Sequence, residues 1–340
     1  MSGPVAMVET LPRLMDSFGR SHDYLRVSVT DHCNLSCSYC RPAGSEPLCG
    51  NKGQRLEPDE IERLVGIFAR MGVRKVRLTG GEPLTRTDLG ALIGRLARVA
   101  GIETVSLTTN GVLLADKAEQ LKSAGLAGLN VSLDTLREDR FEQITGSGAF
   151  YRVMAGIEAA IAAGFVPLKL NTVVMRGVND DELEDFVELA RFSPLEVRFI
   201  EFMPFTANGW SQDSFISWLD MKDLIGRSYP LVPLNGAEPE GGVARRFTVE
   251  GFCGRVGFIT SLTSKFCSTC TRLRLTSDGG FKPCLHNPEE LDLAGPLRKG
   301  ADDVEIAGMI TNFLQEKLFS HQALAGYREP GVRSMMATGG

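Results

Sequence analysis

No stretch of about 18 consecutive apolar residues occurs in the 340-residue chain, which excludes an ordinary membrane-spanning helix. The N-terminus lacks the apolar core of a secretory signal, so the expected location is the cytoplasm and no membrane partner is expected. Internal repeats and low-complexity tracts are absent. An excess of positive charge is missing too: 37 Lys and Arg face 42 Asp and Glu, a net charge of −5 that argues against a nucleic-acid partner yet leaves room for a local basic pocket. What remains is ordinary globular material, 43% hydrophobic and 23% charged, long enough for one large domain and an appendage.

Cysteine is the residue that is not scarce. There are eight, and six fall into two groups. Reductants keep cytosolic thiols reduced, so metal ligation is the better expectation than disulfides. The first group, Cys33, Cys37 and Cys40, has C-x3-C-x2-C spacing and supplies three thiolates, not four. A four-iron cubane held by three thiolates keeps one iron open to a small molecule carrying nitrogen and oxygen donors. The competing reading is a zinc site, which needs a fourth ligand. His32 abuts Cys33 and turns inward with difficulty, and Cys49 is separated from Cys40 by Pro42, Gly44 and Pro47.

Along the chain, β-rich runs alternate with helical patterns, which predicts parallel strands joined by crossovers. Strands are expected at 24–29, 75–79, 104–108, 129–133, 168–174 and 196–200, with helices at 58–71 and 180–192. Six such units suggest an α/β fold, a partial (β/α)6 TIM-like barrel. Thr79-Gly80-Gly81-Glu82-Pro83, Thr108-Thr109-Asn110-Gly111, and Ser132 with Asp134 follow successive strands, where barrel enzymes place their sites. Each alone reads as a turn. The two glycines would let main chain approach a ligand closely.

The second group is Cys267 and Cys270 in Phe266-Cys267-Ser268-Thr269-Cys270-Thr271-Arg272-Leu273-Arg274, with Cys284 downstream. Zinc with His286 as fourth ligand and a second open cluster are both compatible with this spacing. Cys253 is a possible fourth thiolate for this group, but it lies in a predicted β-hairpin over 247–259, where a small buried cysteine is the ordinary expectation.

The first cysteine motif, with the aromatic Tyr39 inside it and the glycine-rich segment at 79–83, resembles the radical S-adenosylmethionine (SAM) superfamily. With F-C-x2-C-x-R-x-R and a third cysteine added, residues 25–284 and the Gly339-Gly340 ending resemble the GTP 3′,8-cyclase family of molybdenum cofactor biosynthesis. The resemblance implies a radical SAM lyase with two [4Fe-4S] clusters and SAM as cofactors. Cys33, Cys37 and Cys40 would hold the first cluster, and Cys267, Cys270 and Cys284 the second. Tyr39, Gly81, Ser132 and Met203 would touch SAM. Arg26, Arg77, Thr108, Lys169, Arg272, Leu273 and Arg274 would bind GTP, with Arg198 a further cation whose inward direction rests on strand alternation alone. No side chain is given a catalytic role, because SAM carries the radical. The implied product is (8S)-3′,8-cyclo-7,8-dihydroguanosine 5′-triphosphate. Implied partners are the GTP substrate, the next enzyme of the pathway (cyclic pyranopterin monophosphate synthase), a reductant protein and, as one oligomeric form, a second copy in a homodimer. The expected division is an N-terminal extension (1–20), a radical SAM partial barrel (21–215) and a cluster- and GTP-binding region with the Gly-Gly tail (216–340). The other readings are a radical SAM peptide maturase with an auxiliary cluster and a non-catalytic iron–sulfur electron carrier.

Overall fold

The computed structural model describes residues 11–40, 55–205, 208–234 and 243–320. Six strands, β1 (Tyr24–Ser28), β2 (Lys75–Thr79), β3 (Thr104–Thr109), β4 (Gly128–Ser132), β5 (Leu168–Val174) and β6 (Leu195–Glu201), lie side by side in chain order and all parallel. The helices are α1 (Pro58–Arg70), α2 (Leu89–Leu96), α3 (Ala118–Ser123), α4 (Glu138–Thr145), α5 (Phe150–Ala162), α6 (Leu183–Phe192), α7 (Trp218–Gly226), α8 (Ala294–Arg298) and α9 (Asp303–Leu314). The expected strands are all present, and their ends differ by at most one residue. The helix expected over 180–192 opens with a 3₁₀ turn, Asp180–Glu182, and the Asp180 carboxylate accepts the Gly177 N–H at 2.8 Å.

Local sequence explains the elements. α1 starts at Pro58, whose missing N–H costs nothing there, with Asp59 and Glu60 at the positive end of the helix dipole and Glu57 and Glu60 closing a capping box. Ile61, Leu64, Val65 and Phe68 repeat at helical spacing and are buried.

The strands depart from the usual pattern of a parallel sheet, which is apolar on both faces. One face is apolar: Leu25, Val27, Val76, Leu78, Leu107, Val131, Leu170 and Phe199 are packed in the main hydrophobic core. The alternate positions, among them Tyr24, Arg26, Arg77, Ser106, Asn130, Lys169 and Arg198, line a cavity. The barrel interior is therefore an open, polar chamber where a closed (β/α)8 barrel packs layers of branched side chains.

The remaining strands are β7 (Leu231–Pro233), β8 (Ala244–Val249), β9 (Arg255–Ile259), β10 (Arg272–Leu275), β11 (Gly280–Lys282) and β12 (Leu291–Asp292). They extend the sheet at both ends, giving the order β12-β11-β10-β1-β2-β3-β4-β5-β6-β9-β8-β7. β10 runs parallel to β1 and β9 parallel to β6. β8 and β9 form the expected hairpin. Cys253 corrects an expectation: it is exposed, because it sits in the turn of that hairpin, with its N–H on the Arg191 carbonyl at 3.0 Å.

Candidate active site

Both cysteine groups line one cavity of about 640 Å³. They enter it from opposite ends of adjacent strands. Cys33, Cys37 and Cys40 follow the carboxyl end of β1, whereas Cys267 and Cys270 precede the amino end of β10 beside it, and Cys284 follows the antiparallel β11 at that same lower end. Five strand residues span about 16 Å, which sets the scale of the separation.

The upper loop is laced to its neighbours by main chain. Gly81 N–H donates to the Thr30 carbonyl and Glu82 N–H to the His32 carbonyl, both at 2.7 Å, while Ser36 and Ser38 N–H reach the carbonyls of Thr145 and Ile144 at 2.9 Å. The glycines are required by this approach: a Cβ on Gly81 would lie 2.3 Å from the His32 oxygen, and one on Gly80, at φ +148°, 2.4 Å from the Thr30 oxygen. Glu82 turns away and accepts from Thr109 Oγ1 and the Asn110 N–H at 2.7 Å; burial pushes its carboxyl up to about 7. Asn110 Nδ2 lies 3.9 Å from Cys33 Sγ.

Tyr39 is fixed as well. Its hydroxyl donates to Asp134 Oδ2 at 2.7 Å, its ring packs edge-on to Phe202, and Asp134 Oδ1 accepts the Val173 N–H at 2.9 Å. Burial raises the Asp134 carboxyl to about 6. Gly81, Ser132 and Met203 also line this end of the cavity.

The donor sets fit a metal cluster. Burial, Asp134 and the neighbouring thiols push the Cys37 thiol far up; burial, Cys33 and Asp134 push Cys40 up to about 12. Three thiolates can persist there when a cation shares their charge. Among the described residues no three Cys, His, Asp or Glu side chains converge on a single point, the arrangement that a closed zinc site needs. Cubane ligands need no such point, because each thiolate holds a different iron. At the lower end burial pushes the Cys270 thiol up, but Arg272 and Lys317 outweigh it and bring it to about 7.

The expected GTP residues gather between the two cysteine groups. Arg26, Arg77, Thr108, Lys169, Arg272 and Arg274 all line the cavity, and Arg198 does too, as strand alternation suggested. Arg77 is aimed by Tyr24 Oη and by the Leu107 carbonyl at 3.1 Å. Arg272 stacks over Phe266 at 4.6 Å. Leu273 does not join them: it is fully buried in the hydrophobic core between its two arginine neighbours and can offer a ligand main chain at most. Crowded cations and burial depress one another's proton affinity. Burial and Arg198 lower Lys169 to about 8, and burial and Arg272 lower Arg274 to about 10. The Asn130 and Asn171 side-chain oxygens are buried without a partner among the described residues, which marks them as waiting for a donor from a ligand. Tyr24, Asn130 and Arg246 were not anticipated. Their only signal was period-two polarity extending to the lower ends of the strands, away from the usual site at the carboxyl ends. Cys49 and the Gly339-Gly340 tail lie outside the described residues.

Comparison with known proteins agrees with this geometry. Residues 27–190 match the Radical SAM superfamily and residues 195–323 the Molybdenum Cofactor Synthesis C family. The chain is 45% identical over 327 residues to GTP 3′,8-cyclase of Moorella thermoacetica, covering 96% of this chain and 100% of that protein. It is 44% identical to the mitochondrial GTP 3′,8-cyclase of Arabidopsis thaliana (96% and 83%). It is 43% identical to human molybdenum cofactor biosynthesis protein 1, where it covers 95% of this chain and 50% of that one. Among solved structures, Streptococcus suis SuiB bound to S-adenosylmethionine superposes with a TM-score of 0.55 at 15% identity, over 85% of this chain and 66% of that one, which shows the shared fold. Cysteine groups at both ends of a polar chamber and near-full-length identity of 44–45% to two GTP 3′,8-cyclases converge, and the chain belongs to the GTP 3′,8-cyclase family of the radical SAM superfamily.

Proposed function

We propose that the protein converts GTP to (8S)-3′,8-cyclo-7,8-dihydroguanosine 5′-triphosphate, the first step of molybdenum cofactor biosynthesis. The observation that carries this reading is a single chamber with one cysteine triplet at each end and a belt of cations between them. Cys33, Cys37 and Cys40 would hold a [4Fe-4S] cluster with SAM, and Cys267, Cys270 and Cys284 a second cluster. The first cluster with SAM would supply a 5′-deoxyadenosyl radical able to take hydrogen from an unactivated C–H bond, and the second would bind the substrate. The chain's own residues bind and orient. Tyr39, Gly81, Ser132 and Met203 shape the SAM end, while Arg26, Arg77, Lys169 and Arg274 meet the triphosphate through charge-assisted hydrogen bonds. Arg272 and Thr108 complete the substrate wall. Holding the ribose 3′ carbon at the upper cysteines and the guanine toward the lower ones fixes the C–H bond to be broken and the C8 atom to be joined. Residues 21–215 would thus carry the SAM site and part of the GTP wall, and 216–340 the second cluster with Arg272 and Arg274, in the cytoplasm, with a reductant protein upstream and cyclic pyranopterin monophosphate synthase receiving the product. A homodimer is compatible with this scheme.

The test is anaerobic incubation of reconstituted protein with SAM, a reductant and GTP, read by mass spectrometry. Both 5′-deoxyadenosine and the cyclised triphosphate are expected. Deoxyadenosine with no GTP-derived product would retain the radical enzyme and remove GTP as substrate. Neither product from protein with intact clusters would favour an electron carrier.

Two expectations concern affinity. Arg272→Ala and Arg274→Ala should each weaken GTP binding by about 2–5 kcal/mol, the usual cost of truncating one partner of a buried charge pair, while SAM cleavage persists. Unchanged GTP dissociation constants in titration calorimetry would remove both from the site. The second is a pH dependence. Triphosphate favours protonated Lys169, whose ammonium loses its proton near pH 8 in the free protein. Affinity should be flat below that pH and fall by up to about tenfold per unit above it, and Lys169→Gln should abolish the bend. A bend of equal size in Lys169→Gln would assign it elsewhere.

A further inference from the structure

The segment before β1 is used by none of the chemistry above, yet with Lys317, just after α9, it forms a deeply buried charged cluster outside the chamber. Asp16 is 4% exposed, His22 1% and Lys317 3%. Asp16 Oδ1 accepts the main-chain N–H groups of Phe18 and Arg20 at 3.0 Å, and its Oδ2 accepts Arg20 Nε at 2.6 Å and lies 3.1 Å from His22 Nε2. On the other side of the imidazole, Lys317 Nζ lies 3.5 Å from His22 Nδ1. Burial and Lys317 push His22 down to about 4, so the ring is neutral near pH 7. The ring is held from three sides, by Asp16 at Nε2, by Lys317 at Nδ1 and by the main chain of Thr271.

Both ends of this relay reach the lower cysteines. Lys317 donates to the Arg272 carbonyl at 2.9 Å, and Arg20 Nη1 donates to the Cys267 carbonyl at 2.7 Å. The other Arg20 hydrogens hold the carbonyls of Leu318 and Phe319 at 2.9 Å, so the end of the chain beyond α9 is tied into the same knot. An ammonium this deeply buried is costly unless held by acceptors or anions. Burial lowers the Lys317 proton affinity, Cys270, Cys284 and Asp16 raise it, and the Arg272 carbonyl that it holds is two residues from Cys270.

We propose that Lys317, oriented by His22 and Asp16, is a positioning residue for the C-terminal cluster: it pins the Arg272 main chain and sets a fixed positive charge beside Cys270 and Cys284. Arg20 pins Cys267 in the same way. A buried cation beside thiolate-ligated iron favours the added electron, so the charge holds the potential of that cluster up, whereas the cluster at Cys33, Cys37 and Cys40 is at the far end of the chamber and does not feel it. The inference rests on the reading that Cys267, Cys270 and Cys284 hold a cluster.

The test is an EPR-monitored redox titration of the full-length, anaerobically reconstituted protein, with iron counted in each sample. In Lys317→Met the C-terminal cluster should shift to a more negative midpoint while the N-terminal one stays in place, and the GTP dissociation constant should rise about tenfold as Arg272 loses its anchor. Lys317→Gln, which retains a donor without the charge, should recover GTP affinity but not the potential, and Lys317→Arg should recover both. Unmoved potentials in Met and Gln variants that carry both clusters would overturn the proposal. So would folding of the Arg variant alone, which would make Lys317 a structural staple. If Met alone fails to fold, the Gln variant decides. A wild-type sample lacking the second EPR signal and half of its iron would instead sink the cluster reading beneath the proposal.

Discussion

Cys270→Ala protein, reconstituted anaerobically, should continue to cleave SAM while forming no cyclised GTP, whereas Cys33→Ala should lose both products. The asymmetry follows from where the thiols stand. Cys33 follows β1 at the end of the chamber lined by Tyr39, Gly81, Ser132 and Met203, and it touches Asn110 from the next strand but one. Removing it opens the set that would hold SAM. Cys270 precedes β10 at the other end, next to Arg272 and Lys317. Its loss leaves the upper loop and every main-chain bond to Gly81, Glu82, Thr145 and Ile144 intact. Deoxyadenosine is then released without a correctly held ribose to attack. Equal residual cyclisation in the two variants would defeat this division of labour.

Gly81→Ala should be nearly as damaging although it removes no ligand. The added methyl would stand 2.3 Å from the His32 oxygen and 2.5 Å from its carbon, both main-chain atoms that no rotamer change can clear. Overpacking of this kind costs about 1–3 kcal/mol or more, and relief requires moving residues 31–33, hence Cys33. SAM cleavage and iron bound by the upper set should both fall, with the lower set retained. Gly66→Ala is the matched control, because nothing lies within 4 Å of that position in α1 and alanine favours a helix there. Wild-type turnover by Gly81→Ala would show that the loop can shift without consequence.

Most of the framework was legible from local chemistry. Strand cores such as Lys75–Thr79 and Leu168–Val174 are marked by β-branched and apolar residues, and the cysteine spacings point to open clusters without any fold. What could not be read was which polar residue meets which. Tyr24 matters because it aims Arg77, 53 residues later, a relation created by the pairing of β1 with β2. Arg246 reaches Glu196, at 3.3 Å, because the β8–β9 hairpin docks against β6. Leu273 looked like part of a binding segment because its neighbours are arginines, but strand alternation sends it to the apolar face. Cys253 misled in the opposite sense: small thiols usually fill cores, and this one occupies a turn.

The order of the sheet also constrains how the chain comes off the ribosome. β1 and β6 are the outer members of the six-strand array, and both are covered by strands from the last third of the sequence, β10 on one flank and β9 on the other. Until residue 259 has been synthesised the six-strand array has no partner for either outer strand, and until residue 275 none for β1, each open edge a template for pairing with another chain. A shortened translation product ending after β6 would carry both edges permanently. The two flanking strands therefore close the array as well as extend it, and they do so last.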